Sequence, residues 1–153
     1  MFEELEHSSC FQDLSADQIA SIMPCCSIVA LNDGEFLICE GEHIDRDFYL
    51  LLSGTVEIVS NDTNMISGEV VLSKEDKDLY GELALLTGCK RTASVRCRGD
   101  VDAIRINGEA LMNILTKDAE IGFKVLHRIA LILAQRLEQS DSLIKQLLWN
   151  TNI

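Results

Sequence analysis

The stretch GELALLTGCKRTASV, residues 81–95, places one carboxylate and two cations close to turn glycines. If Glu82 begins a short helical turn, the unpaired N–H groups of that turn and the planar guanidinium of Arg91 suit phosphate oxygens. Gly81 would let a ligand come close to the backbone. Glu82 would repel a phosphate, so it fits beside a donor such as a sugar hydroxyl. A nucleotide carries both a phosphate and a sugar hydroxyl, so these residues are consistent with a nucleotide site.

The same residues also allow a simpler interpretation. Glu82 and Arg91 could form a surface ion pair, which would contribute little stability. Spacing alone does not decide between an anion site and a solvated turn. Cys89 has no histidine near it in the sequence to activate it, so we interpret it as a small loop residue.

The chain is strongly acidic, with 25 Asp and Glu, 13 Lys and Arg, and a net charge of −12. Nucleic acids and anionic membranes bind basic faces, so neither is an expected partner. No secretory signal is recognisable, and the most apolar stretch, VLHRIALILA, is interrupted by charge and too short to span a bilayer. The six cysteines lack CxxC or secreted-domain spacing, so we expect reduced thiols in the cytoplasm.

The hydrophobic pattern changes twice along the chain and predicts a helix, a β-rich region and further helices. Ser15 and Gln18 have the spacing of a capping box, which predicts a short helix that ends at the single proline. Residues from about 25 to 106 form short β-rich runs between turn residues, as in an antiparallel sandwich or barrel-like roll. Residues from about 107 to 149 are helical by pattern. We expect a single domain over residues 1–153.

The stretch YGELALLTGCKRTASV resembles the phosphate-binding cassette of the cyclic nucleotide-binding domain family. The separation 91 − 82 = 9 matches the regulatory subunits of cAMP-dependent protein kinase in that family. Upstream turn glycines and strand residues also fit the family framework: Gly34, Gly41, Tyr49, Gly54 and Val56. The resemblance covers roughly residues 11–148. Two features depart from it, because KEDKDLY replaces a usual glycine before the cassette and Lys90 stands where proline is common.

The resemblance implies an α+β fold, with an antiparallel, jelly-roll-like β-roll of about eight strands. A short N-terminal helix, a short helix in the cassette and a long C-terminal helix complete it. The implied ligand is a 3′,5′-cyclic nucleotide, cAMP or cGMP, with no metal and no further cofactor. Glu82 would accept the ribose 2′-hydroxyl, and Arg91 would bind the cyclic phosphate with the backbone N–H groups of Leu83, Ala84 and Ala93.

Further ligand contacts are expected at Gly81, Val71 and Ser140. Thr92 occupies a position that is often threonine in cGMP-preferring members of the family, where its hydroxyl can reach the guanine amino group. Bacterial cAMP-binding members have serine there, so Thr92 only leans toward cGMP. Ser140 and Asp141 fall near the positions that contact the base.

The C-terminal helix is predicted to start after an Asp118 cap, and a shorter helix to start after Asn107. The C-terminal helix carries an a/d heptad seam: Leu126, Ala130, Leu133, Leu137, Ser140, Ile144 and Leu147. We expect the first half of the helix to pack on the β-roll of its own chain and the second half, SDSLIKQLLW, to form a homodimer seam. The resemblance implies the same dimer, with this helix covering the bound base.

No catalysis is expected, because the histidines are too scattered for a metal cluster and no G-x-S-x-G nucleophile motif is present. Asp45, Arg46 and Asp47 are interpreted as a solvated turn without a role. The resulting hypothesis is a stand-alone cyclic-nucleotide sensor that passes its state to an unknown partner protein. Leu85 and Leu111, which match hinge-contact positions of the family, would repack on binding. The alternatives are a ligand-free scaffold for interaction or dimerisation and, third, the effector domain of a truncated transcription regulator.

Overall fold

A computed structural model describes residues 1–41, 45–60, 70–75 and 79–151. Five α-helices lie in these ranges: α1 Phe2–Glu6, α2 Ala16–Ile22, α3 Glu82–Thr87, α4 Gly108–Lys117 and α5 Ala119–Thr151. The strands are β1 Cys26–Leu31, β2 Phe36–Ile38, β3 Phe48–Ser60, β4 Val70–Glu75, β5 Leu79–Tyr80 and β6 Ser94–Ile106. None of the helices in the described part of the chain is both long and apolar enough to cross a membrane.

The strands pair in an antiparallel sheet of order β1-β6-β3-β4, with β2 added to β6 and β5 to β3. The predicted fold class, an antiparallel β-roll with short helices and one long C-terminal helix, is confirmed. The described residues contain six strands where about eight were expected. The reason is that β3 and β6, of 13 residues each, are continuous across register shifts, and each spans two of the predicted runs.

The predicted start of the N-terminal helix is confirmed by its hydrogen bonds. Ser15 Oγ accepts from the Gln18 N–H at 3.3 Å, and Gln18 Oε1 accepts from the Ser15 N–H at 3.0 Å, so the capping box is complete. The single proline lies in a 3₁₀ turn, Met23–Cys25, directly after this helix. Helix α1 was not predicted.

Two groups of buried side chains form the core. One lies between the helices and the sheet, and the other lies inside the roll. Leu85 of α3 and Leu111 of α4 are both fully buried in the first group. Helix α3 and helix α4, which directly precedes α5, therefore share one packed core.

Helix α5 packs on the rest of the chain through Ile121, Val125, Ile129 and Ile132, which repeat at helical spacing. The predicted heptad seam, hereafter the α5 seam, lies on a different face of this helix. The expectation that the first half of the helix packs on its own domain is confirmed, but the packing uses the four core residues above, while Leu126 and Ala130 of the seam are exposed. The a/d pattern and the core-facing pattern overlap in sequence, so periodicity could not separate the two faces.

Candidate functional site

Gly81, the first glycine of the cassette, lies between strand β5 and helix α3. Its φ of 91° lies in the left-handed region that favours glycine. A Cβ atom at this position would lie 2.6 Å from Arg91 Nη1 and 3.1 Å from the Asp47 carbonyl oxygen. Glycine is therefore required here for the backbone conformation and for the close approach of the arginine.

The guanidinium of Arg91 is buried beside Gly81, and the residue is only 8 % exposed. Nη1 donates to the Gly81 carbonyl at 3.0 Å, while Nη2 donates to Asp45 Oδ1 at 3.0 Å and to the Asp47 carbonyl. The buried Nε–H finds no acceptor among the described residues. A buried N–H without an acceptor is costly, which makes this group a candidate donor to an anion.

Glu82, which is 5 % exposed, faces helix α5. Arg136 Nη1 donates to Glu82 Oε1, and Arg136 Nη2 donates to the Leu79 carbonyl at 2.6 Å. The simpler sequence interpretation, a surface pair between Glu82 and Arg91, is therefore wrong. Sequence reasoning also missed Arg136, because nothing in its spacing along α5 distinguishes it from the other cations of the helix.

A cavity of about 410 Å³ opens between these side chains. Most of the predicted ligand contacts line it: Gly81, Glu82, Leu83, Ala84, Arg91, Thr92 and Ala93. Ser140 is exposed on α5 and is not one of the described lining residues. Val71 lies on β4 opposite Val59, and the structure describes only its backbone. The ligand contacts predicted for all of these residues stay predictions.

The charged residues that line the cavity favour an anion. Among the described lining residues, the three cations Lys90, Arg91 and Arg136 face the single carboxylate of Glu82, in a chain whose net charge is −12. Apolar side chains from β2, β3 and β6 form much of the remaining wall: Ile38, Ile58 and Val95. An anionic group with an attached apolar or aromatic part suits this lining. The described residues contain no group of three or more His, Cys, Asp or Glu placed to hold a metal ion.

The interpretation of residues 45–47 as a solvated turn is wrong for Asp47, which is buried. Its Oδ2 accepts from Arg105 Nε at 2.7 Å and from Nη2 of the same arginine. This hydrogen-bonded ion pair raises the pKa of the Arg105 guanidinium above its usual value. The sequence DRD has the composition of an exposed turn, so its burial could not be read from the residue types.

A family model described as cyclic nucleotide-binding domain matches residues 28–118, more than half of the chain. This chain belongs to the cyclic nucleotide-binding domain family. The family resemblance inferred from the sequence is thus confirmed. Members of the family are regulatory domains that bind cyclic nucleotides, and the matched range includes the whole cassette.

Individual relatives agree with this assignment. A cyclic nucleotide-gated channel of Caenorhabditis elegans is 28 % identical over 120 residues, which are 74 % of this chain and 16 % of the channel. A cAMP-dependent protein kinase regulatory subunit of Mycosarcoma maydis is 32 % identical over 96 residues, 63 % of this chain and 18 % of that subunit. The chain spans less than a fifth of the length of these two relatives.

Solved structures agree on the fold. A cyclic nucleotide-binding domain from Methylobacillus flagellatus superposes with a TM-score of 0.81 and 24 % identity, covering 94 % of this chain and 82 % of that one. At this identity the likeness supports the fold of the cyclic nucleotide-binding domain, and the ligand has to be argued from the site.

Proposed function

We propose that this chain is a sensor that binds a 3′,5′-cyclic nucleotide, cAMP or cGMP, in the cavity and reports the bound state through α5. The observation that carries the proposal is the buried Arg91, whose Nε–H has no acceptor among the described residues and which lines a cavity next to Glu82. The cavity volume of about 410 Å³ lies within the range of about 300–1,000 Å³ typical of small-molecule sites. The names of the channel and kinase relatives support a nucleotide ligand.

The ligand's charged and polar groups are assigned by the chemistry of the lining. The cyclic phosphate would accept from the guanidinium of Arg91 and from backbone N–H groups of Leu83, Ala84 and Ala93, which all line the cavity. The ribose 2′-hydroxyl would donate to the carboxylate of Glu82. An ionised carboxylate only accepts hydrogen bonds, so Glu82 selects a donor at this place in the ligand.

Helix α5 is the proposed output element, because one of its side chains already contacts the sugar-binding carboxylate. Arg136 reaches Glu82 from a position 54 residues later in the chain. A ligand hydroxyl on Glu82 would share this carboxylate with Arg136 and so change how α5 is held. The ligand can change the equilibrium between two positions of the helix only by the difference in its affinity for them. Such coupling free energies are typically about 1–3 kcal/mol.

The proposed oligomer is a homodimer through the α5 seam. Leu137, Ile144 and Leu147 of the seam are 64 %, 54 % and 59 % exposed. Burying such a row against a second copy in a coiled coil would remove it from water. Sedimentation analysis should give a dimer for the wild-type protein and a monomer for Ile144→Lys, whereas a Lys145→Ala control outside the seam should stay dimeric. A monomeric wild-type protein at micromolar concentration would contradict this part of the proposal.

A ligand-free scaffold is the second candidate, and one observation favours it. The terminal nitrogens of Arg91 already donate to Asp45, Asp47 and Gly81, and Glu82 already has Arg136. These groups are stable partners for one another without a nucleotide. The unpaired Nε of Arg91 weighs against this candidate, since a pure scaffold has no use for a buried donor without an acceptor.

Calorimetric titration of nucleotide-stripped protein separates the two candidates. We expect binding of cAMP or cGMP, much weaker binding of 5′-AMP, and weaker binding of cyclic dinucleotides. Flat heats for every cyclic mononucleotide would favour the scaffold. A preference for cGMP would support a contact from Thr92, and Thr92→Ala should then reduce that preference.

The decisive variant is Arg91→Gln. Loss of a buried, charge-assisted contact typically costs about 2–5 kcal/mol, so we expect affinity to fall by about 30-fold or more. Arg98→Gln is the matched control, because Arg98 is an exposed arginine on β6 and is not one of the described residues that line the cavity. Urea unfolding of both variants checks that the fold persists. Normal nucleotide affinity in a folded Arg91→Gln would overturn the site assignment.

A further inference from the structure

The segment of residues 45–47 lies between the cavity and the start of helix α4. The carbonyl of Asp47 accepts from Nη2 of Arg91. The side chain of the same residue points to α4, where Oδ1 accepts from the Gly108 N–H at 3.2 Å. One buried residue thus contacts both the arginine of the cavity and the first residue of a helix outside it.

The contact between this segment and α4 leaves no spare room. A Cβ atom on Gly108 would lie 1.8 Å from the Arg46 carbonyl oxygen. Backbone therefore packs directly on backbone where the segment meets the helix. Because close-packed interiors transmit displacement and do not absorb it, a shift of residues 45–47 must move the start of α4.

The carboxylates of Asp45 and Asp47 hold the segment in place through further interactions. Asp45 Oδ1 accepts from the Asp47 N–H at 2.7 Å and from Arg91 Nη2 at 3.0 Å. Asp47 Oδ2 pairs with Arg105 at the end of β6. The Asp47 carboxylate also lies at the positive end of the ten-residue helix α4, where the helix dipole favours a negative charge.

We propose that Asp47 is a positioning residue that connects Arg91 to the first turn of α4. The Asp47 carbonyl accepts from the Arg91 guanidinium, and the Asp47 carboxylate accepts from the Gly108 N–H. A displacement of the guanidinium is therefore expected to shift Asp47 and, with it, the start of α4. Helix α4 buries Leu111 in the same core as Leu85 of the cassette and precedes α5 directly, so a change at its first turn reaches the output helix by a route separate from Arg136. The ligand-dependent arm of the test below rests on the proposed function, and the ligand-free arm does not.

The ligand-free arm is a double-mutant cycle read by amide hydrogen exchange at Gly108 and in the first turn of α4. We expect Arg91→Gln to accelerate this exchange by about threefold or more in the wild-type background, and to have no further effect once Asp47→Ala has removed the connection. Equal acceleration by Arg91→Gln in both backgrounds would overturn the proposal, because it would show that Arg91 acts on α4 without Asp47.

Conservative and control variants keep this arm decisive. Asp47→Asn retains an oxygen that can accept from the Gly108 N–H, so it should restore part of the protection lost in Asp47→Ala. If Asp47→Ala does not fold, Asp47→Asn takes its place in the cycle. In the Asp47→Asn background, the acceleration of α4 exchange caused by Arg91→Gln should be less than half of that in the wild-type background. Asp102→Asn is the matched control, because Asp102 is an exposed acid on β6 that contacts Ser53. It should leave the exchange of α4 unchanged.

The second arm adds saturating cAMP or cGMP. We expect Asp47→Asn to bind nucleotide within about threefold of wild type, but to lose at least half of the ligand-induced protection of α4. Equal protection in both proteins would overturn the ligand-dependent role of Asp47. If the wild-type protein binds neither nucleotide, the proposed function fails, while the ligand-free cycle still decides whether Asp47 connects Arg91 to α4.

Discussion

The two halves of α5 carry the same kinds of apolar residue at helical spacing, yet their surroundings differ. In the first half, Ile121, Val125 and Ile129 are buried against the rest of the chain. Lys124 and Arg128 also reach across to the N-terminal region, with Lys124 Nζ 3.1 Å from Gln18 Oε1 and Arg128 Nε 2.9 Å from the Ser9 carbonyl. Beyond Arg136 every residue of the helix through Thr151 is exposed.

This difference in burial divides the helix into two parts at Arg136. The first half is part of the domain core and fixes where the helix begins. The second half has no role in that core, and its exposed leucines form the surface that the proposed homodimer would bury. Arg136 stands at the boundary and lines the cavity, where it donates to Glu82, which is why the proposed function gives it the coupling between the two parts.

The largest expected difference is in stability. Ile129→Ala should reduce the free energy of unfolding by about 2–5 kcal/mol, because it leaves a cavity in a fully buried site. Leu147→Ala is the matched variant in the second half, and it should change the value by less than about 0.5 kcal/mol in dilute, monomeric protein. Urea unfolding measures both. Comparable losses would mean that the second half also packs on the domain.

A smaller contrast comes from replacing a small residue by alanine in each half. A Cβ on Gly122 would lie 2.5 Å from the Leu115 carbonyl oxygen of α4. We expect Gly122→Ala to cost about 2 kcal/mol by overpacking, although alanine is the better helix former. Ser142 is exposed in the second half, so Ser142→Ala should change only the helix propensity. Because alanine is the better helix former, we expect the variant to be more stable by a few tenths of a kcal/mol. Thermal unfolding compares the two, and a stabilising Gly122→Ala would contradict the tight contact between α4 and α5.

Arg136→Gln tests the boundary. Removing the cation leaves the buried Glu82 carboxylate without its charged partner on α5, and we expect a loss of about 1–2 kcal/mol in stability. Hydrogen exchange should also speed up in α5 from residue 132 onward. Lys145→Gln, which removes a cation from the exposed half, should do neither. Unchanged exchange in Arg136→Gln would show that the pair does not hold the helix.

The smallest effect is expected at Ser140. Because it is exposed, Ser140→Ala should leave stability within about 0.5 kcal/mol of wild type. If α5 closes over the base, as the family resemblance implies, the same variant should weaken nucleotide binding by about two- to tenfold through one lost hydrogen bond. Ser142→Ala should not weaken it. Equal affinities of the two variants would remove Ser140 from the site.

Local sequence features predicted local structure well. The capping box of Ser15 and Gln18 starts α2, and Asn107 Oδ1 accepts from the Ala110 N–H at 2.9 Å at the start of α4. Asp118 Oδ1 likewise accepts from the first N–H groups of α5. Each of these contacts spans two or three residues, so its partners are adjacent in the sequence whatever the tertiary fold.

In the candidate site, too, the residues close together in the sequence were predicted and the distant ones were not. The glycine, the carboxylate and the arginine of the cassette lie within eleven residues, and their spacing sufficed to find them and the family. Asp47 and Arg136 were missed, since the first looks like a turn residue and the second like any cation on a long helix. Their partners are 44 and 54 residues away, and only the packing of β3 and α5 brings them together.

The sequence by itself determined the element types, the helix caps, the cassette and membership of the cyclic nucleotide-binding domain family. Those features depend on periodicity and on interactions between residues close in the chain. Only the tertiary structure decided that Glu82 pairs with Arg136 and not with Arg91, that Asp47 is buried, and which face of α5 belongs to the core. The physical reason is that burial and ion pairing are set by whichever surfaces meet on folding. Residues of the same type and spacing, as in the two halves of α5, therefore reach opposite environments.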